Sequence, residues 1–423
     1  MLPFEAARAL VIETLRSRAG VPESRFATAE TIDLPRDPRA AIGRILAQDV
    51  AADRDYPPFN RSTRDGYAMR SASVAEPGTR LRLVGESRAG VAYPGTIAAG
   101  ECVRILTGAP LPRGADTVVM QELTQTEGEF VLFEQAARTG QHYVLAGAEA
   151  RAGEVVIPPG TRLGYAELAV AAEVGQARLK VTRRPRVAIV STGDELVALD
   201  ARPGPFQIRN SNGVSLAAHV ALVGSEPVLS ASAHDEPAEL RASIERGLEA
   251  DLLLLSGGVS VGKYDLVEQT LLDLGAEILF DSVAIRPGRP TVFAWCRGKP
   301  VFGLPGNPVS TMVTFELFVA PAIELLSGYL PRPLPLFPAQ LAHPIHEKGG
   351  MAHFLPARVT WAAAPSDRER APLTTPVVET LLWEGSGDIG AVARGNCFLL
   401  VRESRPQLEA GEWAAVLPRR GVL

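Results

Sequence analysis

The chain has 423 residues, with 43 Lys and Arg against 48 Asp and Glu, a net charge of -5, 46% hydrophobic residues and 22% charged ones. This length exceeds one ordinary hydrophobic core and predicts roughly three or four domains, and the composition is that of a globular chain, not a disordered one. The slightly acidic balance excludes a basic field for nucleic acid and a polybasic patch for membranes.

No apolar run is read as approaching the ~20 residues that span a bilayer. The N-terminal stretch mixes Glu5 and Glu13 with apolar residues and lacks the order of a signal peptide. Cys102, Cys296 and Cys397 are odd in number and outside any CxxC spacing, which fits a reducing cytoplasm.

In chain order, Phe4, Ala7, Val11 and Leu15 share one helical face. Asp37-Pro38 offers an N-cap and a first-turn proline for a helix over 38–47. The turn-rich stretch Tyr56–Ala68 follows. Short strands broken by glycine and proline then run from Leu81 to Phe133, which predicts a small all-β domain. A helix is expected over 165–173, and Arg183-Arg184-Pro185 reads as a linker. Beyond it, strands (187–190, 252–255, 278–283, 291–294, 301–304) alternate with helices. The helices are expected over 212–223 (capped by Ser211 or Asn212), 235–248, 266–274 and from Pro308 to Leu326 with a kink at Pro321. That alternation predicts a doubly wound, mainly parallel sheet. A proline-rich linker (Pro331, Pro333, Pro335, Pro338) leads to a final β-rich region.

Three strands end in unusual polar turns before helices: Ser191-Thr192-Gly193-Asp194-Glu195, Ser256–Asp265 and Gly303–Ser310. Ligands of an open parallel sheet bind outside the carboxyl ends of its strands, where helix N-termini and glycine backbones converge on anions. Gly257-x4-Gly262-Lys263 satisfies most of a P-loop, but Tyr264 stands where Ser or Thr would hold magnesium. The acids Asp194, Glu195, Asp235 and Asp265 would repel a bare phosphate and suggest a bridging Mg²⁺, while Asp194 and Asp235, each taken alone, also suit helix capping. Arg286 and Arg289 bracket Pro287-Gly288 and suit a tetrahedral oxyanion, or else form a solvated loop pair. His343, His346 and His353 have no zinc-site spacing and read as surface or interface histidines. With no GxSxG elbow and no Cys–His pair, catalysis is expected to be electrostatic and metal-assisted.

Six stretches in this order resemble the molybdopterin molybdenumtransferases, the MoeA-type family that includes the E domain of gephyrin. They are Pro57–Ala68, Ile105–Pro112, Ser191–Leu196, Ser256–Asp265, Arg286–Pro290 and Gly303–Ser310. The resemblance covers essentially the whole chain. It implies an α/β multidomain protein with an N-terminal helical region (1–50 and 148–184) and an inserted small β domain (51–147). An α/β domain with a doubly wound, mainly parallel sheet (185–330) and a C-terminal β-barrel (331–423) complete it.

The implied reaction transfers molybdenum from molybdate to adenylylated molybdopterin, releases AMP and requires Mg²⁺. The implied state is a cytoplasmic homodimer whose partners are the adenylyltransferase and recipient molybdoenzymes. By the same resemblance Asp65 and Thr107 act across the dimer, and Glu195, Asp235 and Asp265 handle metal and phosphoanhydride. Thr192, Gly193, Asp194, Ser256, Gly257, Gly258, Ser260, Gly262, Pro305, Gly306, Asn307 and Ser310 cradle the pterin phosphate and adenylate. Arg286 and Arg289 receive molybdate, and Ser386 approaches the same cleft. Departures are Glu149 in place of an aspartate, arginines for lysines at 286 and 289, and Gly349–Phe354 without an arginine common there. Two other readings are an ATP-dependent molybdopterin adenylyltransferase and a molybdopterin-binding scaffold without activity.

Overall fold

In the computed structural model, residues 1–18, 29–230, 233, 236–258, 266–329, 332–362 and 375–423 are described. They form two units, one of residues 1–31, 43–47 and 180–423, the other of residues 32–42 and 48–179.

The second unit is built on a six-stranded sheet. Its strands are β1 (Gly66–Met69), β2 (Thr79–Ser87), β3 (Glu101–Ile105), β4 (Thr117–Met120), β5 (Thr124–Glu127) and β6 (Phe130–Phe133), in the order β4-β1-β3-β2-β6-β5. Alternate residues serve opposite faces: Tyr67 and Met69 join one cluster with Leu81 and Phe133, and Ala68 joins another with Val103 and Val118. This is the expected small β domain.

The first unit opens with helix α1 (Phe4–Arg18), whose buried Phe4, Ala7, Val11 and Leu15 are those the spacing predicts. The second unit also holds the expected helix α2 (Tyr165–Glu173). The central sheet of the first unit comprises β7 (Arg186–Ser191), β8 (Glu226–Leu229), β9 (Leu252–Ser256), β10 (Glu277–Phe280), β11 (Val292–Cys296) and β12 (Lys299–Leu304), ordered β8-β7-β9-β12-β11-β10. The first three pairings are parallel and the last two antiparallel.

Helix α3 (Ser211–Leu222) links β7 to β8, and α4 (Pro237–Gly247) links β8 to β9. Helix α5 (Leu266–Asp273) follows β9 in the chain. The four-leucine run reads as a strand because both its faces are covered. Leu252 and Leu254 pack with Leu216 and Val220 of α3, and Leu253 and Leu255 pack with Leu240 and Ile244 of α4.

After β12 come α6 (Pro308–Thr314), a π-helical turn Phe315–Val319 and α7 (Ala320–Leu326). The remainder forms a closed five-stranded barrel. Its strands β13 (Phe337–Leu341), β14 (Ala352–Ala362), β15 (Thr375–Thr380), β16 (Cys397–Val401) and β17 (Trp413–Pro418) run β14-β15-β13-β17-β16 and back to β14. A short helix α8 (Ile389–Arg394) precedes β16. The N-terminal helix shares the barrel's edge, with the Phe4 and Phe354 rings edge to face at 5.5 Å.

Three expectations are corrected and one is given its form. The helix over 38–47 is a single 3-10 turn, Pro38–Ala41. Asp37 does cap it, accepting from Arg39 N, but Gly43 at φ +76 turns the chain away. The cap of α3 is Asn210, whose Oδ1 accepts from Gly213 N at 2.9 Å. The irregularity expected at Pro321 takes the form of a π turn, Phe315–Val319. The wider π turn immediately before it accommodates a residue that has no N–H and whose ring would crowd the preceding carbonyl. Finally, Pro308–Leu326 is, by length and hydropathy, an apolar run fit to cross a bilayer, but it is 89% buried within the protein as a core helix.

Candidate active site

The register of the central sheet brings the three polar turns to one level. Ser191 pairs with Ser256, and Ser256 with Leu304, so β7, β9 and β12 end side by side. The chain leaves β7 for β8 on one side and returns to β9 on the other, which makes the gap between β7 and β9 the point where the sheet's winding reverses. That gap is where an open α/β sheet receives its ligand.

A cleft of about 630 Å³ opens there, walled by Ser191–Gly193, Glu195, Leu196, Ile208–Asn212, Ser256–Gly258 and Pro305–Pro308. The turns are knit by backbone bonds from Thr192 N to Ser256 O (3.0 Å) and from Gly257 N to Leu304 O (3.3 Å). Gly257 has φ +95, and a Cβ there would lie 2.3 Å from Thr192 O, so the close approach of the turns requires glycine. The charged side chains on this wall are Glu195 and Arg209, both exposed.

A second lobe of about 600 Å³ shares Pro290, Pro305, Asn307 and Gly387 with the first. Arg286, Arg289, Ser310, Met351, Trp383, Glu384 and Ser386 are among its other lining residues. Arg286 is held as an edge strand against β14, opposite His353. Ser386 is held by its own carbonyl oxygen, which accepts from Val309 N at 3.0 Å. The first lobe thus offers glycine backbone, one carboxylate and one guanidinium, and the second offers two guanidiniums suited to a tetrahedral oxyanion together with the Glu384 carboxylate.

Of the residues expected at the site, Thr192, Gly193, Glu195, Ser256, Gly257, Gly258, Pro305, Gly306 and Asn307 line the first lobe, and Arg286, Arg289, Ser310 and Ser386 the second. Asp194 is exposed beside the first lobe without lining it. Asp235, Ser260, Gly262 and Asp265 lie outside the described residues.

Asp65 and Thr107 belong to the other unit, where Asp65 Oδ1 accepts from Thr107 N at 2.6 Å and from Thr107 Oγ1 at 2.7 Å. The backbone N–H, then the hydroxyl, hold the Asp65 carboxyl below its ordinary range, against a small opposing cost of burial. Glu149 pairs there with Arg61 at 2.8 Å.

His353 departs from expectation. It is 2% exposed, its Nδ1 lies 2.9 Å from Glu347 Oε2 and its Nε2 3.0 Å from Lys348 O, so it braces the loop that carries Met351. Arg209 and Asn210 were not singled out from sequence, and Asn212 was read there only as a candidate helix cap; the Asn-Ser pair ahead of a helical run was the available signal.

A divalent cation fits the described part of the cleft in one respect. Glu195 is a hard carboxylate exposed on its wall, and Mg²⁺ characteristically takes one or two carboxylates together with substrate phosphates. Among the described residues no three His, Cys, Asp or Glu side chains gather into a cage.

Comparison with known proteins agrees with this geometry. Residues 2–175 match the MoeA N-terminal region (domain I and II), residues 188–325 a probable molybdopterin binding domain, and residues 338–418 the MoeA C-terminal region (domain IV). A molybdopterin molybdenumtransferase of Nostoc sp. is 43% identical over 319 residues, 73% of this chain and 73% of its own. One from Staphylococcus aureus is 30% identical over 383 residues, 89% of each. The crystal structure of a molybdopterin biosynthesis MoeA protein from Pyrococcus horikosii superposes with a TM-score of 0.74 at 29% identity, covering 99% of both chains. By these matches along its length, the chain belongs to the molybdopterin molybdenumtransferase (MoeA) family.

Proposed function

We propose that the chain transfers molybdenum from molybdate to the dithiolene of adenylylated molybdopterin, giving molybdenum cofactor and AMP. The observation that carries this reading is the pairing of a glycine-walled lobe at the sheet's reversal point with a lobe bearing Arg286 and Arg289. The glycine turns bind the phosphates and adenylate through backbone N–H groups. Arg286, Arg289 and Ser386 hold molybdate as a substrate in the adjoining lobe. The shared wall at Pro305 and Asn307 sets the two reactants side by side, so that proximity does much of the work. Transfer by ATP-dependent adenylylation is not favoured, because the relatives that share the flanking regions bear the molybdenumtransferase name.

Mg²⁺ is part of the proposal, with Glu195, Asp235 and Asp265 as its holders; when bound, it would supply charge neutralisation at the phosphoanhydride. So are a cytoplasmic homodimer in which Asp65 and Thr107 serve the partner's cleft, and the adenylyltransferase and recipient molybdoenzymes as protein partners. The division into 1–50 with 148–184, 51–147, 185–330 and 331–423 belongs with it. Purified protein given adenylylated molybdopterin, molybdate and Mg²⁺ is expected to release AMP and form active cofactor. Binding of the adenylylated pterin without AMP release would sink the reading.

A further inference from the structure

Asn212 sits at the start of α3, is 9% exposed and lines the first lobe. Its Nδ2 donates to Ser256 Oγ at 2.9 Å and to the carbonyl oxygen of Gly306 at 2.8 Å. A carbonyl oxygen only accepts, so Gly306 dictates which end of the amide faces the turns, and both N–H bonds of the amide are used. The Oδ1 is buried and has no hydrogen-bond partner among the described residues. A leucine of similar size would spare that unpaired acceptor, so the worth of the amide lies in its two donated bonds.

Those bonds act at and just past the last backbone bond between the two strands, Gly257 N to Leu304 O at 3.3 Å. The pairing of β9 with β12 ends at Ser256 opposite Leu304. Beyond it the facing residues are Gly257 and Gly306, close enough that a Cβ on Gly306 would lie 3.7 Å from Gly257 Cα. Glycines have no side chains with which to hold one another at a fixed spacing.

We infer that Asn212 is a positioning residue for the reaction. From a third element, it locks the glycine turn after β9 and the Pro305–Asn307 turn after β12 at one separation, so that both backbone edges grip the same anionic part of the substrate. The inference rests on the reading that this cleft takes adenylylated molybdopterin.

Calorimetric binding of adenylylated molybdopterin to the full chain, with urea unfolding of each variant, tests it. Asn212→Leu removes both bonds and is expected to weaken affinity about tenfold or more. Asn212→Asp, which sets an acceptor against Gly306 O, should be at least as damaging. Ser256→Ala removes one leg and should fall between, and Asn212→Leu should cost less in that background than in wild type because the leg is shared.

Thr182→Val serves as a stability control. It deletes a buried bond from Thr182 Oγ1 to Ser327 O (2.9 Å) outside the cleft and should leave affinity unchanged. Wild-type affinity in folded Asn212→Leu, or an equal loss in Thr182→Val, overturns the inference. Should Asn212→Leu fail to fold, unchanged affinity in Ser256→Ala overturns it. Wild-type protein that does not bind the adenylylated pterin overturns the function itself, a separate outcome.

Discussion

Replacing Gly257 by Ala adds one methyl group to the cleft wall, and its consequences can be worked from the structure. At φ +95 a non-glycine residue incurs about 1–2 kcal/mol of backbone strain. The new Cβ would also meet Thr192 O at 2.3 Å, and overpacking of that kind costs about 1–3 kcal/mol. The obstruction is backbone, so no rotamer change relieves it. Together these terms make about 2–5 kcal/mol, which a domain of ordinary stability survives, but only by withdrawing the turn.

Withdrawal by something under an ångström breaks the level set by Thr192 N to Ser256 O, and misplacement on that scale costs on the order of 100-fold in rate. AMP release per folded molecule, read beside urea unfolding, is the assay. Gly306→Ala is the matched control for folding. Its Cβ would meet nothing nearer than Gly257 Cα at 3.7 Å, an ordinary contact, so its unfolding midpoint should stay at the wild-type value. A Gly257→Ala protein with wild-type turnover and wild-type midpoint would refute the packing argument.

Thr107→Val removes the hydroxyl but leaves the backbone N–H that bonds Asp65, so the Asp65 carboxyl should move part of the way back up toward its ordinary value; a carbon-13 titration of that carboxyl reads it, and an unmoved curve would count against the geometry. His219 is held below its ordinary pKa, chiefly by burial, and its ring stacks on Phe315 at 4.8 Å. The folded state therefore binds its proton less readily than the unfolded chain does. Its contribution is fully present above the unfolded value of about 6.5 and is lost as pH falls through the folded value. His219→Phe keeps the stacking and should flatten that part of the acid loss in urea midpoints taken between neutral and mildly acid pH. Cys102 and Cys397 are buried with thiols pushed up to about 12, and Cys296 is buried and raised by the same cause; a thiol reagent should find none of the three in native protein and all three in urea.

Much of the fold was legible because its determinants are local. Four leucines between a polar residue and a glycine turn can be a strand only if both faces are covered, and the two core clusters cover them. Local chemistry also misled. Asp37-Pro38 is a sound helix start, and its cap bond forms, yet the turn ends after four residues at an extended Ile42 followed by the left-handed Gly43. The π turn before Pro321 was out of reach for another reason. Proline announces that a helix must adjust, but the buried packing of Phe315, Leu317 and Phe318 decides how.

The site divides along the same line. Its turns were readable because glycine, proline and a strand end declare a backbone shape without reference to anything distant. The spacing between those turns was not readable, since it rests on backbone bonds between distant strand ends and on bonds from Asn212 to residues 44 and 94 positions away. His353 was misread for the same reason, as its burial depends on Glu347 and Lys348 folding back over it and on the barrel strand behind. A glycine turn supplies donors to an anion but has no side chain with which to hold its neighbour. Backbone bonds knit the three turns at their roots, and beyond them a side chain from elsewhere fixes the gap between two of the three. In this cleft the motif residues furnish the chemistry, and an asparagine with no motif of its own sets the geometry in which that chemistry can act.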